Sequence, residues 1–313
     1  MENNLSTNNK QKLHTSTEGS GEYINTPQSS EKVCSLVKVE PLIHMIKLVL
    51  QSAYLKNEKY PLNLLLIAKP ESVKTLAMEQ FKFKGTYTTK SITRHQLVNK
   101  IFPMIENQKL KHLLITDLTT ITEKDIRTQK SLMNTLKNLM EEGIDNIDDF
   151  NIRTHKTYNP PLKLGIITAI TDEDFLGHYD SKEGKWIGGV KYEWRRIGLL
   201  SRFIPFSYKY EYSKIYKIFE FIEKEQYNLK LPTQKINRRT TLVQGNPELF
   251  SKLEKISIQL SQQVGGYGFR PQRNLQTLAK ANALLNGRHE VTQQDIDTVI
   301  WLSNWINLDF NPL

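Results

Sequence analysis

Cysteine is nearly absent: the 313-residue chain has Cys34 alone, which excludes an internal disulfide and any cysteine-based zinc site. Long apolar runs are missing too. No stretch approaches the roughly 18 to 20 residues of a membrane span, and the N-terminus lacks the hydrophobic segment of a secretory signal, so a cytoplasmic protein without a membrane partner is expected. The seven histidines are scattered, with no HExxH or comparable spacing, which argues against a histidine-based metal centre. Residues 1–33 hold few large aliphatic side chains and many Asn, Ser, Thr and Gln. They cannot bury enough surface to offset ordering entropy and are expected to form a disordered polar tail.

What the chain has in excess is positive charge. In the tail, Glu2, Glu18, Glu22 and Glu31 outnumber Lys10, Lys12 and Lys32 by one, so the whole-chain charge of +10 leaves +11 on the remainder. Such an excess suits a polyanionic partner such as nucleic acid, or else a plain solvated surface rich in lysine.

Apolar periodicity divides that remainder in two. A helix enters after Pro41, and "PLNLLLIA" reads as a strand buried on both faces. "GTYTTKSI", "LKHLLITDLTT", "LKLGIITAIT" and "SRFIPFSYKY" supply further strands, with helices expected from about Thr93 to Asn107 and over "TQKSLMNTLKNLMEEG", which stops at Gly143. The polar stretch from Ile144 to Pro161 fits an extended insertion or hairpin, and "YSKIYKIFEFIEKEQ" a helix. Alternating strands and helices predict an α/β fold with a parallel sheet over residues 34–235, and the helical patterns after it, one capped by Thr292, a small all-α domain over 236–313.

Glycine is scarce where it would matter most. The octapeptide "AKPESVKT" from Ala68 lies between a strand and a helix, where a P-loop reads GxxxxGK[ST]. Lys74 and Thr75 stand at the cationic and hydroxyl positions, but Ala68 and Val73 replace both glycines. A β-branched Val73 resists positive φ and is expected to turn the loop away from a phosphate cradle.

In chain order, the landmarks from here resemble the AAA+ ATPases, and within them the branch with an insertion in the second helix, which includes the MoxR-type ATPases and the minichromosome-maintenance helicases. "HLLITDL" is similar to the Walker B strand, which makes Asp117 the magnesium-holding carboxylate and sets Leu118 where active members carry the water-polarising glutamate. "GIITAIT" resembles the sensor-1 strand, with Thr171, or else Thr168, as its polar residue. "IGLLSRFIPF" resembles the segment whose arginine, here Arg202, reaches a neighbouring subunit's γ-phosphate; Ser201 replaces the usual acid before it. "GFRPQRNLQTLAKANALLNGRHEVTQQDID" resembles the lid segment with the sensor-2 arginine, which matches Arg273, with Arg270 the alternative.

The resemblance covers roughly residues 37 to 305 and implies a P-loop NTPase sheet flanked by helices, then a helical lid. Its cofactors would be ATP and Mg²⁺, the metal held by Thr75 and Asp117. Its partners would be other AAA+ subunits in a homo- or hetero-oligomer. With both Walker motifs degenerate, self-sufficient hydrolysis is expected to be slow or absent, and the chain to serve a ring or complex in replication or mobile-element maintenance, offering Arg202 in trans. The alternatives are a DNA-binding scaffold that keeps only the fold, and an active MoxR-like chaperone in which Glu141 or Glu142 supplies the absent carboxylate. "GKWIGGVKYEWRRIG" reads as a hairpin with Gly188 and Gly189 at its tip, and its Lys185, Lys191, Arg195 and Arg196 are candidates for contact with nucleic acid, or are solvated charges around packed tryptophans.

Overall fold

The computed structural model describes residues 39–122, 124–146, 156–180, 182, 185–225, 231 and 233–313. Cys34 and the tail expected to be disordered lie outside the described residues. Helix α1 (Glu40–Ser52), with Pro41 in its first turn, leads into β1 (Leu64–Ile67), which is buried throughout, as a strand flanked on both sides requires. The polar loop then turns into α2 (Lys74–Glu79). Strand β2 (Gly85–Thr89) is followed by one helical run in three segments: α3 (Arg94–Gln96), a π-helical stretch Leu97–Ile101, and α4 (Phe102–Glu106). Thr93 and Gln96 close a reciprocal capping box at its start.

Strand β3 (Leu110–Ile115) leads to the short α5 (Thr119–Thr122) and the long α6 (Ile126–Met140), which buries Leu132, Met133, Leu136, Leu139 and Met140 along one face. Gly143 ends that helix as expected, at φ 91° with its N–H donating to the Asn138 carbonyl. The polar stretch after it forms the antiparallel pair β4 (Ile144–Asn146) and β5 (Thr157–Leu162). Next come β6 (Gly165–Ile170), α7 (Asp172–Leu176), the antiparallel pair β7 (Gly177–Asp180) and β8 (Lys185–Gly188), α8 (Lys191–Arg196), β9 (Ile204–Lys209) and α9 (Tyr212–Glu223).

The remainder is helical: α10 (Pro247–Ser251), α11 (Glu254–Val264), α12 (Phe269–Leu285) and α13 (Gln293–Leu302), the last capped by Thr292 with Asp295. The chain then returns to add β10 (Asn311–Pro312). No helix among the described residues is long and apolar enough to cross a membrane.

The main sheet has six strands in the order β10-β9-β1-β6-β3-β2, all parallel. Parallel pairing puts every carboxyl end on the same edge, and β1, β6 and β3 are immediate neighbours there. Asn63 knits the opposite edge: it accepts from Ile166 N–H and donates to the Arg202 carbonyl, while its own carbonyl accepts from Ile204 N–H. One hydrophobic core runs from Val39 to Leu313, and α12 packs against α1. The helices after residue 246 therefore lie, in sequence, between two adjacent strands of one sheet, which the division at residue 235 did not anticipate.

The basic segment departs from the hairpin reading. Gly188 and Gly189 sit where β8 runs into α8, and Lys191, Arg195 and Arg196 ride on a helix. A Cβ at Gly189 would lie 2.1 Å from the Leu176 carbonyl carbon, and Val190 N–H donates to the Asp174 carbonyl. That glycine serves backbone contact, which the paired glycines alone could not distinguish from a turn.

Candidate functional site at the carboxyl edge of the sheet

Open parallel sheets bind ligands beyond the carboxyl ends of their strands. Here that edge opens into a cleft of ≈ 1370 Å³ whose lining includes Lys74, Thr75, Thr116, Asp117 and Thr171 on the sheet side. Ile215, Ile218, Phe219 and Ile222 of α9 form the far wall. Four residues singled out in the sequence, Lys74, Thr75, Asp117 and Thr171, thus meet in one place.

The loop between β1 and α2 takes the shape that glycines would have allowed. Glu71 has φ 61° and Val73 φ 72°, so Val73 does not turn the loop away; it accepts a left-handed conformation that is uncommon for a β-branched residue and costs of order 1–3 kcal/mol. The surroundings hold it there. Tyr208 and Tyr210 both donate their hydroxyls to the Ser72 carbonyl, at 2.6 and 3.2 Å, anchoring the loop to β9 and the residue after it.

Lys74 is buried and points back into its own loop. Its Nζ donates to the Ala68 carbonyl, to the Lys69 carbonyl at 2.7 Å and to Ser72 Oγ at 3.1 Å. Burial lowers its pKa to about 8, against the opposing pull of Asp172, Asp117 and Asp174. A ligand phosphate would have to win the ammonium from those three oxygens.

Asp117 is exposed, and its Oδ1 accepts from Thr119 N–H at 3.0 Å and Thr119 Oγ1 at 2.5 Å. It caps the turn that follows β3 and faces the cleft at once. Thr171 caps α7, accepting from Asp174 N–H at 3.0 Å and donating to Asp174 Oδ2. Thr168 is fully buried in the middle of β6 with an unpartnered hydroxyl and does not reach the edge. Leu118, 1% exposed, belongs to the core, so no carboxylate follows Asp117. Among the described residues no group of three or more His, Cys, Asp or Glu is arranged to hold a metal by itself. Thr75 and Asp117 are the oxygen-bearing side chains of the cleft that could contribute to holding a Mg²⁺, the rest of its ligands coming from phosphate and water, and Asp172, whose Oδ1 is buried without a hydrogen-bond partner, acts electrostatically on Lys74.

The three candidate arginines lie elsewhere, around Glu141 near the amino edge. Arg202 precedes β9; its Nε is 3.2 Å from Glu141 Oε2, its Nη2 donates to Glu142 Oε1 at 2.8 Å, its Nη1 donates to the Gly198 carbonyl, and its side chain is 12% exposed. Arg270 donates to both Glu141 oxygens at 2.7 and 2.8 Å and to Ser201 Oγ at 2.8 Å. Arg273 is 3.8 Å from Glu141 and stacks over Tyr60. None of them lines the Lys74 cleft, and neither do Glu141 and Glu142, which therefore cannot provide its missing carboxylate from within the same chain.

On α8, Trp194 is buried against Phe175, while Arg195 and Arg196 are exposed, Arg196 paired to Glu193 and Arg195 donating to the Gln262 carbonyl. Lys191 is half-buried and Lys185 lies on β8. Sequence reasoning missed Tyr208 and Tyr210, whose alternation on a β-strand end carried no hint of the loop above, and Asp172 and Asp174, which stood in the sequence as the acids right after Thr171. Set against models of known protein families and against curated proteins, the chain matches none.

Proposed function

We propose that this chain is an AAA+-type subunit with an impaired nucleotide site, which binds ATP weakly and works within a ring or complex on nucleic acid. The observation that carries the reading is the convergence of Lys74, Thr75, Asp117 and Thr171 on one cleft, below a loop held in left-handed conformations at Glu71 and Val73. In such a site Lys74 meets the phosphate charge, and Thr75 and Asp117 hold Mg²⁺, whose role is to neutralise charge on the transferring phosphoryl group. Leu118 lies in the core where an active member of that family would place its water-polarising glutamate, and loss of such a group costs ~10² to 10⁴ in rate. Arg202 and Arg273 stand near the opposite edge, where they cannot reach their own cleft and could serve only that of a neighbour; Arg202 would first have to leave Glu141 and Glu142.

Titration with ATP and Mg²⁺ tests this. Weak binding that Lys74→Ala abolishes, with turnover far below that of motor ATPases, is the expected outcome. Binding indifferent to Lys74→Ala would leave the scaffold reading, which the tying of Lys74 to its own loop favours. Turnover at motor rates that Asp117→Asn abolishes would refute the impairment.

A further inference from the structure

The turn between α11 and α12, Gly265–Gly268, and the first residue of α12 carry two of the most exposed large hydrophobic side chains among the described residues. Tyr267 is 89% and Phe269 80% exposed, and their rings stack on each other at 6.0 Å with 30° between planes. Gly265, Gly266 and Gly268 all take positive φ, at 94°, 102° and 93°, a backbone path that thrusts Tyr267 outward. Burying a ring of this size is worth about 1.5–3 kcal/mol, and the fold leaves both in water.

The surroundings are cationic. The Arg195 guanidinium packs beside Gly265 and holds the end of α11 through Gln262, and Tyr192, 78% exposed, lies one turn earlier on α8. On the other side Lys59, Arg270 and Arg273 share a hollow of ≈ 520 Å³ with Tyr267 and Phe269. The acids there are already engaged: Glu141 by three arginines, Glu142 by Arg202. Arg195 and Lys59 remain to face an incoming anion.

We infer that Tyr267 and Phe269 form a stacking platform for the unpaired bases of a single-stranded nucleic acid, whose phosphates run past Arg195 on one side and Lys59 on the other. Aromatic faces accept any base, and the nearby cations neutralise the backbone without reading sequence. Duplex DNA keeps its base faces stacked inside, so the platform discriminates for single strands. A second copy of this chain is the poorer occupant, because a self-complementary contact would bring the same cations of both copies together. The inference rests on the proposal of a nucleic-acid partner and is independent of nucleotide binding.

Fluorescence anisotropy of the full chain with a labelled oligothymidylate, its duplex counterpart, and heparin as a polyanion without bases tests it. Tyr267→Ala with Phe269→Ala is expected to weaken oligothymidylate binding about 5- to 100-fold while leaving heparin affinity and the melting temperature unchanged, and Trp at both positions to restore it. If the wild type binds no oligonucleotide, the nucleic-acid proposal falls and the platform with it. If the wild type binds, and the double alanine variant binds as tightly while Arg195→Ala with Arg196→Ala weakens it, the platform alone is overturned. A change from oligomer to monomer in the double alanine variant would assign the pair to a contact between copies and overturn it too.

Discussion

At the scale of single residues the candidate site is governed by what each side chain already holds. Lys74 is the clearest case, because the same burial that brings its pKa to about 8 also ties its ammonium to loop oxygens. The sign for binding follows directly. Below about pH 8 the side chain is a charged ammonium and can meet phosphate; above it the charge is lost, so ATP affinity should fall as pH rises from 7 to 9, and a Lys74→Arg variant, which stays charged throughout, should show no such slope, which calorimetry at several pH values would check. Stability runs the other way. Between about 8 and the ordinary lysine value of 10.5 the unfolded chain binds this proton and the folded chain does not, so Lys74's contribution rises with pH across that window. Glu141 makes the complementary point. One half-buried carboxylate collects Arg202 together with Arg270 and Arg273 from some seventy residues later, although a reading of motifs gives Arg202 one job and the other two, as alternatives, another.

At the scale of elements, short segments are defined by what they must pass closely. Gly189 joins β8 to α8 against the backbone of Leu176 and Gly177, with the built Cβ 2.1 and 2.2 Å from their atoms. Gly189→Ala must therefore shift backbone, not a flexible side chain, and is expected to destabilise the protein by about 1–3 kcal/mol in thermal or urea unfolding. A neutral effect would mean that α8 is free to move off α7. The amphipathic α9 shows the opposite situation: it buries none of its residues fully, and Ile215, Ile218, Phe219 and Ile222 line the cleft beside the Lys74 loop.

At the scale of the whole molecule, the C-terminal strand closes the design. Leu313 is buried with its N–H on the Lys209 carbonyl, Trp305 Nε1 donates to the Pro312 carbonyl, and Asn311 and Pro312 pair alongside β9. Deleting Asn311–Leu313 removes one buried leucine and these hydrogen bonds, and should cost about 2–4 kcal/mol, read as a lowered urea midpoint with far-UV circular dichroism preserved. The strands, the long helices and their caps were legible in the sequence because they rest on local signals: the apolar runs of β1, β3 and β6, the periodicity of α6, the Thr292 cap. So was the gathering of Lys74, Asp117 and Thr171, since parallel strands necessarily end on one edge. Local pattern determined which residues could gather at the carboxyl edge of the sheet, and it did so through backbone periodicity. Whether Val73 could bear a left-handed turn, where Arg202, Arg270 and Arg273 would find their carboxylate, and that Tyr267 and Phe269 would stay in water beside Arg195 were decided only by tertiary packing, because each depends on atoms brought together from distant parts of the chain.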